Sequence, residues 1–213
     1  MKPEFWLQKW QNNEIGFHEG APNDLLVRHF AALGIRAGGR VFVPLCGKSR
    51  DMVWLRASGY EVVGVELSRL AVEQFFAEIS LTPHISPSGT LVRYSGEGVT
   101  IFVGDIFNLD KATLGPVDAI HDRAAIVALP DELRRRYTRH LIALTDSAPI
   151  FLVNFVYDQS SRPGPPFSVD AAEVEGHYAA SYRIVEAESR EVPGGLRGAA
   201  VSAETAWVLT RRI

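Results

Sequence analysis

The apolar positions change their period along the chain, and each change marks an element. Trp6 and Trp10 lie four apart in "PEFWLQKWQNN", which predicts a helix over 3–13. "GFHEGAPN" (16–23) has no period and reads as a loop. Leu26, Phe30 and Leu33 make one stripe of a second helix, "DLLVRHFAALGI", with Gly34 as its stop. The continuous apolar run "RVFVPL" predicts a buried strand, and "SRDMVWLRASG" (49–59) a helix ended by Gly59. "YEVVGVEL" is a second buried strand. Ser68 caps the next helix, "RLAVEQFFAEIS", where Ala71, Phe75 and Ile79 recur every four residues.

Two prolines punctuate "SLTPHISPSG" (80–89), which reads as a loop. "LVRYSGEGVTIFVGDIF" predicts two short strands around the turn Ser95-Gly96-Glu97-Gly98. "PVDAIHDR" is a short strand, "DELRRRYTRHLIALT" a helix with Leu133, Tyr137, Leu141 and Leu144 inward, and "APIFLVNFVYD" a buried strand. "QSSRPGPPF" (159–167) is a rigid loop and "DAAEVEGHYAA" a short helix. "YRIVEAESREV" and "ETAWVLTRR" form a closing antiparallel pair. Strands alternating with helices, with continuous apolar strands early on, imply an α/β fold whose mainly parallel sheet is covered on both faces. No repeat or linker interrupts it.

The chemistry concentrates where the first strand turns into a helix, at "RVFVPLCGKSRDM" (40–52). Gly47, Lys48 and Ser49 match the end of a phosphate-binding loop, but its first glycine would fall at Phe42, inside the strand. A dinucleotide loop needs three glycines, and this turn has one. The acid survives. Glu66 ends the second strand about 20 residues beyond the turn, the spacing at which a carboxylate accepts both ribose hydroxyls. A nucleoside without a tightly held pyrophosphate is indicated, and S-adenosyl-L-methionine fits that description. Asp105, Ile106 and Phe107 follow the third strand and "HDR" ends the fourth, so these loops converge at the carboxyl edge where ligands bind.

Composition narrows the setting. The 213 residues suffice for one domain with a full core, and a net charge of −3 gives no basic field for nucleic acid or anionic membrane. The lone cysteine, Cys46, makes no intrachain disulfide. No apolar run is long enough to span a membrane, and the N-terminus has no signal-peptide core. A cytoplasmic protein is expected.

"WLQKW", "GFHEG", "RVFVPLCGKSRDMVWL", "VVGVELS", "DIFNL", "DAIHDRAAIVAL" and "RPGPPF" follow one another over residues 6–167. In these motifs the chain resembles the thiopurine S-methyltransferase family, "PLCGK" being the most specific. The resemblance implies one class I methyltransferase domain over 1–213, Rossmann-like, with seven strands, the last antiparallel, and residues 1–34 as a helical lid. It implies S-adenosyl-L-methionine as methyl donor, S-adenosylhomocysteine as product and a small aromatic or heterocyclic thiol as acceptor. Xenobiotic metabolism is the expected setting and a monomer the expected state. Carried over by position, Trp10 packs on the methionine part, Leu45 contacts the cofactor through its backbone, Glu66 holds the ribose and Ile106 lies against adenine. Arg123 sits beside both cofactor and acceptor, and Phe17 lines the acceptor pocket. Bacterial members are also linked with methylation of selenium and tellurium compounds.

Transfer from a sulfonium to sulfur is an in-line displacement that needs alignment and desolvation more than a strong base. Aromatic thiols are more acidic than an ordinary thiol. A cation favouring the thiolate is then enough, and Arg123 is the candidate, with Arg197 in "GGLRGAA" a second. His18 and Asp122 are available for less acidic acceptors. Phe17, Trp54 and the "RPGPPFSV" loop favour an aromatic guest over a small selenium or tellurium species. Cys46 reads as a small hydrophobe. Arg134, Arg135, Arg136 and Arg139 read as a solvated helix face, and Arg162 either caps its loop or does nothing. The histidines show no metal-ligand spacing, so no metal is expected. A nucleoside-binding module without catalysis would keep Glu66 and Asp105 but need no lid.

Overall fold

The computed structural model describes residues 3–196 and 201–212. The α-helices are α1 (Pro3–Gln11), α2 (Asp24–His29), α3 (Arg50–Ala57), α4 (Arg69–Glu78), α5 (Lys111–Leu114), α6 (Asp131–Leu144) and α7 (Ala171–Tyr178). The strands are β1 (Arg40–Pro44), β2 (Glu61–Glu66), β3 (His84–Ser88), β4 (Leu91–Gly96) and β5 (Val99–Val103). They continue with β6 (Ala119–Arg123), β7 (Ile150–Tyr157), β8 (Tyr182–Glu191) and β9 (Ser202–Arg211). The chain forms two compact units: Met1–Asp24 with Ile35–Ala119, and Leu25–Gly34 with Ile120–Ile213.

In the first unit the strands lie in the order β3-β4-β5-β2-β1. β1, β2 and β5 are parallel, with Val41 opposite Val62 and Val63 opposite Thr100. Val41, Phe42, Val62, Val63 and Val65 are all buried, as a strand covered on both faces requires. β4 runs antiparallel to β5, and β3 to β4. β3 departs from the expected loop over 80–89. It is an edge strand, paired on one side only, and a sheet edge tolerates Pro87 where a central strand would not.

In the second unit the order is β6-β7-β9-β8. β6 and β7 are parallel, while β9 is antiparallel to β7 and β8 to β9. β1, β2, β5, β6, β7, β8 and β9 are thus the expected seven strands with the last antiparallel, and the β3–β4 hairpin is an addition. α2 is shorter than the apolar stripe suggested. It tightens into a 3-10 turn at Phe30–Leu33, which Gly34 ends in the left-handed conformation. Among the described residues no helix is long and apolar enough to cross a membrane.

α6 corrects one reading. Arg135, Arg136 and Arg139 are exposed, but Arg134 is buried. Position 134 precedes 137, 138 and 141 at helical spacing, so it falls on the inward stripe. Its Nε and Nη2 donate to both oxygens of Glu173 at 2.6 and 3.2 Å, and Nη1 donates to the Leu129 carbonyl at 2.8 Å. The Phe167 ring lies 5.6 Å from the guanidinium. Arg134 therefore ties α6 to α7 and to the proline-rich loop. Truncating buried Arg134 removes all three of these bonds and the ring contact together and deprives half-buried Glu173 of both guanidinium donors. Arg134→Ala is expected to destabilise the protein by about 3 kcal/mol in urea titration, whereas Arg135→Ala, which breaks only an exposed pair with Asp131, leaves the midpoint unmoved.

Candidate active site

The chain leaves β1 at Pro44 and reverses within five residues. Leu45 (φ 47°) and Gly47 (φ 51°) both adopt left-handed backbone. For Leu45 that conformation costs about 1 kcal/mol, so neighbouring contacts must hold it. Cys46 N–H donates to the Val65 carbonyl at 3.1 Å, extending the β1–β2 ladder by one step. Ser49 N–H closes the turn on the Cys46 carbonyl at 3.1 Å, and its own side chain accepts from Asp51 N–H to start α3. Gly47 has a second reason to be glycine. A Cβ there would stand 3.0 Å from Cζ2 of Trp10. The glycine makes room for an indole.

Glu66 lies beneath this turn, at the end of β2, and is 6% exposed. Its Oε2 accepts from Gly47 N–H and its Oε1 from Ser68 N–H, each at 2.8 Å. Burial pushes the carboxyl up, against the lowering effect of the Ser68, Gly47 and Leu67 N–H groups. Each oxygen still has acceptor capacity in hand. The Cys46 thiol is buried too. It packs in the space left by Gly64, where a Cβ would lie 2.7 Å from its sulfur. Burial, and then the Glu66 charge, push the thiol well above its ordinary range. Cys46 is a packing group, not a nucleophile.

Other first-unit candidates gather at the same sheet end. Val103 is the register partner of Glu66, and Gly104 N–H donates to the Glu66 carbonyl at 2.9 Å. The chain then caps a short 3-10 turn with Asp105, whose carboxylate accepts from Phe107 N–H, and buries Ile106. Trp10 is buried on α1. Phe17 stands edge-on to Trp10 and Trp6, with ring centroids 5.6 and 5.7 Å away. Trp10, Phe17, Leu45, Glu66 and Ile106 all belong to this unit.

Three contacts here had no sequence signal. Lys48 Nζ pairs with Glu78 at 2.7 Å, and Arg50 reaches the other Glu78 oxygen at 3.6 Å. The lysine that suggested a phosphate ligand is an internal tether from turn to α4, and it holds the Glu78 carboxyl below its usual range. Buried Asp51 accepts from Asn23 N–H at 2.8 Å, anchoring the segment that leads out of the 16–23 loop.

Arg123 belongs to the second unit, half-buried at the end of β6. Its neighbour Asp122 turns to the opposite face, fully buried, accepting from Tyr137 O–H at 2.7 Å and from Ile126 N–H at 3.2 Å. Arg162 donates to the Leu196 carbonyl at 2.8 Å and so braces its loop. Arg197 lies outside the described residues. No group of three or more His, Cys, Asp or Glu among the described residues is placed to hold a metal ion.

The Glu66 hub makes a pH-dependent prediction. Burial raises its folded pKa above the ordinary 4.5, so the folded protein holds that proton more tightly than the unfolded chain. The resulting stability is full below the unfolded pKa and is lost as pH rises through the folded one. Glutamine has a single acceptor oxygen, so in Glu66→Gln an amide NH2 must face either Gly47 N–H or Ser68 N–H. Urea titration should find the variant about 1–3 kcal/mol less stable near the unfolded pKa. The deficit should narrow as pH rises through the folded value. A deficit that widens contradicts this account.

The comparisons with known proteins agree with this geometry. The family model for thiopurine S-methyltransferase matches residues 1–212. A thiopurine S-methyltransferase of Xanthobacter autotrophicus is 51% identical over 212 residues, 99% of this chain and 100% of that one. One from Teredinibacter turnerae is 48% identical over 213 residues, 100% and 99% of the two chains. Among solved structures, the 1,6-didemethyltoxoflavin-N1-methyltransferase of Burkholderia thailandensis, with bound S-adenosylhomocysteine, superposes with TM-score 0.66 at 16% identity, covering 98% and 87%. The magnesium protoporphyrin IX methyltransferase of Synechocystis PCC 6803, also with S-adenosylhomocysteine, gives 0.65 at 15%, covering 98% and 100%. The fold is that of S-adenosylmethionine-dependent methyltransferases, and with the whole chain matched this protein belongs to the thiopurine S-methyltransferase family and uses S-adenosylmethionine as its methyl donor.

Proposed function

We propose that this methyltransferase acts on the sulfur of aromatic or heterocyclic thiols, a class that includes the thiopurines for which its relatives are named. One observation carries the choice. Both acids at the ends of β2 and β6 are already engaged: Glu66 by two backbone N–H groups, Asp122 by Tyr137 and Ile126. These bonds fix both carboxylates in place, so neither is free to swing onto an acceptor as its general base. The acceptor that suits such a protein ionises by itself, and an aromatic thiol does.

The donor set fits S-adenosylmethionine. A buried, oriented carboxylate with spare acceptor capacity matches a ribose diol, and the Trp10 ring over Gly47 offers an apolar cover. Bound donor supplies a methyl group activated on sulfonium sulfur. The residues of this chain do the rest. Glu66 accepts from the ribose hydroxyls, Ile106 lies against the adenine, and the Leu45 backbone lines the turn. Trp10 covers the methionine part and excludes water, as the lid reading of the N-terminal segment requires. Phe17 presents a ring to the acceptor, and Arg123 favours its thiolate over its thiol.

The test is calorimetric titration with S-adenosylhomocysteine, NADH and ATP, followed by methylation assays on thiophenol, phenol and selenite. S-adenosylhomocysteine alone should bind, with methyl transfer to thiophenol preferred. Glu66→Ala should weaken S-adenosylhomocysteine binding at least tenfold, roughly one charge-assisted hydrogen bond. Transfer to selenite with none to thiophenol would sink the thiol assignment and leave the donor site standing.

A further inference from the structure

Asp122 and Tyr137 take no part in the reaction just described, yet both are fully buried. Strand alternation puts His121 and Arg123 on one face of β6 and Asp122 on the other. There Oδ2 accepts from Tyr137 O–H of α6 at 2.7 Å, and Oδ1 accepts from Ile126 N–H at 3.2 Å. The second bond spans Arg123, Ala124 and Ala125. Ala124 has φ 61°, a left-handed conformation in a residue with a Cβ. The turn that carries Arg123 is thus strained, and the Asp122–Ile126 bond closes it. Beyond it the chain continues as a 3-10 turn, with Ala128 N–H on the Ala125 carbonyl at 3.0 Å. The proline-rich loop docks on that turn through Phe167 N–H and the Val127 carbonyl at 2.6 Å.

We propose that Asp122 is a positioning residue for Arg123: anchored by Tyr137, its carboxylate sets the turn 123–126 and so the place from which the guanidinium meets the acceptor. The inference rests on the acceptor role given to Arg123. It separates Asp122 from any proton-transfer role, because positioning needs its oxygens as acceptors and not its acidity. An asparagine keeps the geometry. Its Oδ1 accepts from Ile126 N–H, and its NH2 donates to the Tyr137 oxygen. Alanine keeps neither bond.

The experiment is steady-state methylation of thiophenol by Asp122→Asn, Asp122→Ala, Tyr137→Phe, Arg123→Ala and the double variant Asp122→Ala/Arg123→Ala, with far-UV circular dichroism to verify folding. Asp122→Asn should stay within about threefold of native kcat/KM with an unshifted pH profile, while Asp122→Ala and Arg123→Ala each lose about 10–100-fold. The double variant should fall at most about threefold below Arg123→Ala, because the two act as a unit. If Asp122→Ala does not fold, Tyr137→Phe and the double variant Tyr137→Phe/Arg123→Ala carry the same cycle with a smaller loss. Asparagine as damaging as alanine with a shifted pH profile overturns the proposal in favour of proton transfer. Equal losses from Asp122→Ala, or from Tyr137→Phe, with and without Arg123 overturn it in favour of a general structural role. Native kinetics in Arg123→Ala would instead remove the acceptor role of Arg123, and the positioning role with it.

Discussion

Two backbone N–H groups, from Gly47 and Ser68, meet on one buried carboxylate, that of Glu66. The rest of the first unit's strand end depends on that meeting. A carboxylate taken out of water is unfavourable unless donors replace its hydration, and the two turns supply them. In return the carboxylate joins the turn after β1 to the turn after β2. Without it, a segment holding both Leu45 and Gly47 in left-handed backbone would lose the bond that fixes Gly47 itself. Gly64 then admits the Cys46 thiol beneath, and Gly47 admits the Trp10 indole above. Each glycine is explained by a neighbour within the protein.

What the sequence revealed depended on distance along the chain. The strand–turn–helix at 40–57, the cap at Ser68 and the stop at Gly34 are written in adjacent residues, and the structure places them where the pattern does. Glu66 was legible because its spacing from the turn is a property of one β-α-β unit. The pairs Lys48–Glu78, Arg134–Glu173 and Asp122–Tyr137 join residues on different elements, and no local period announces them. Arg134 is an exception of another kind. Its helical phase with Tyr137, Thr138 and Leu141 was readable, but its charge argued for solvent, and phase decided. β3 hid for a related reason: Pro87, with Pro83 just before the strand, marks a loop unless the strand lies at an edge, and edges are known only after assembly.

The charged groups divide the same way. Those that look chemical in the sequence are in part structural. Lys48 neutralises Glu78, Arg162 braces a carbonyl, and Asp122 and Glu66 accept from the backbone. This leaves little acid–base machinery in reserve. A methyltransferase whose donor is activated before binding can work without it, provided that the acceptor arrives as an anion or is held as one. Alignment then becomes the main task of such a protein, and a fixed turn serves that task better than a proton acceptor does.

The missing glycines have the same physical cause. In a dinucleotide loop the backbone N–H groups are left open, and an external pyrophosphate fills them. Here the Gly47 N–H is filled from within by Glu66. An incoming phosphate would find its donor taken and a carboxylate in its way, so the turn discriminates by repulsion as well as by fit. A ribose brings hydroxyl donors to that carboxylate and no charge to oppose it. The turn therefore suits a nucleoside joined to an uncharged or cationic group, and the sulfonium of S-adenosylmethionine is such a group.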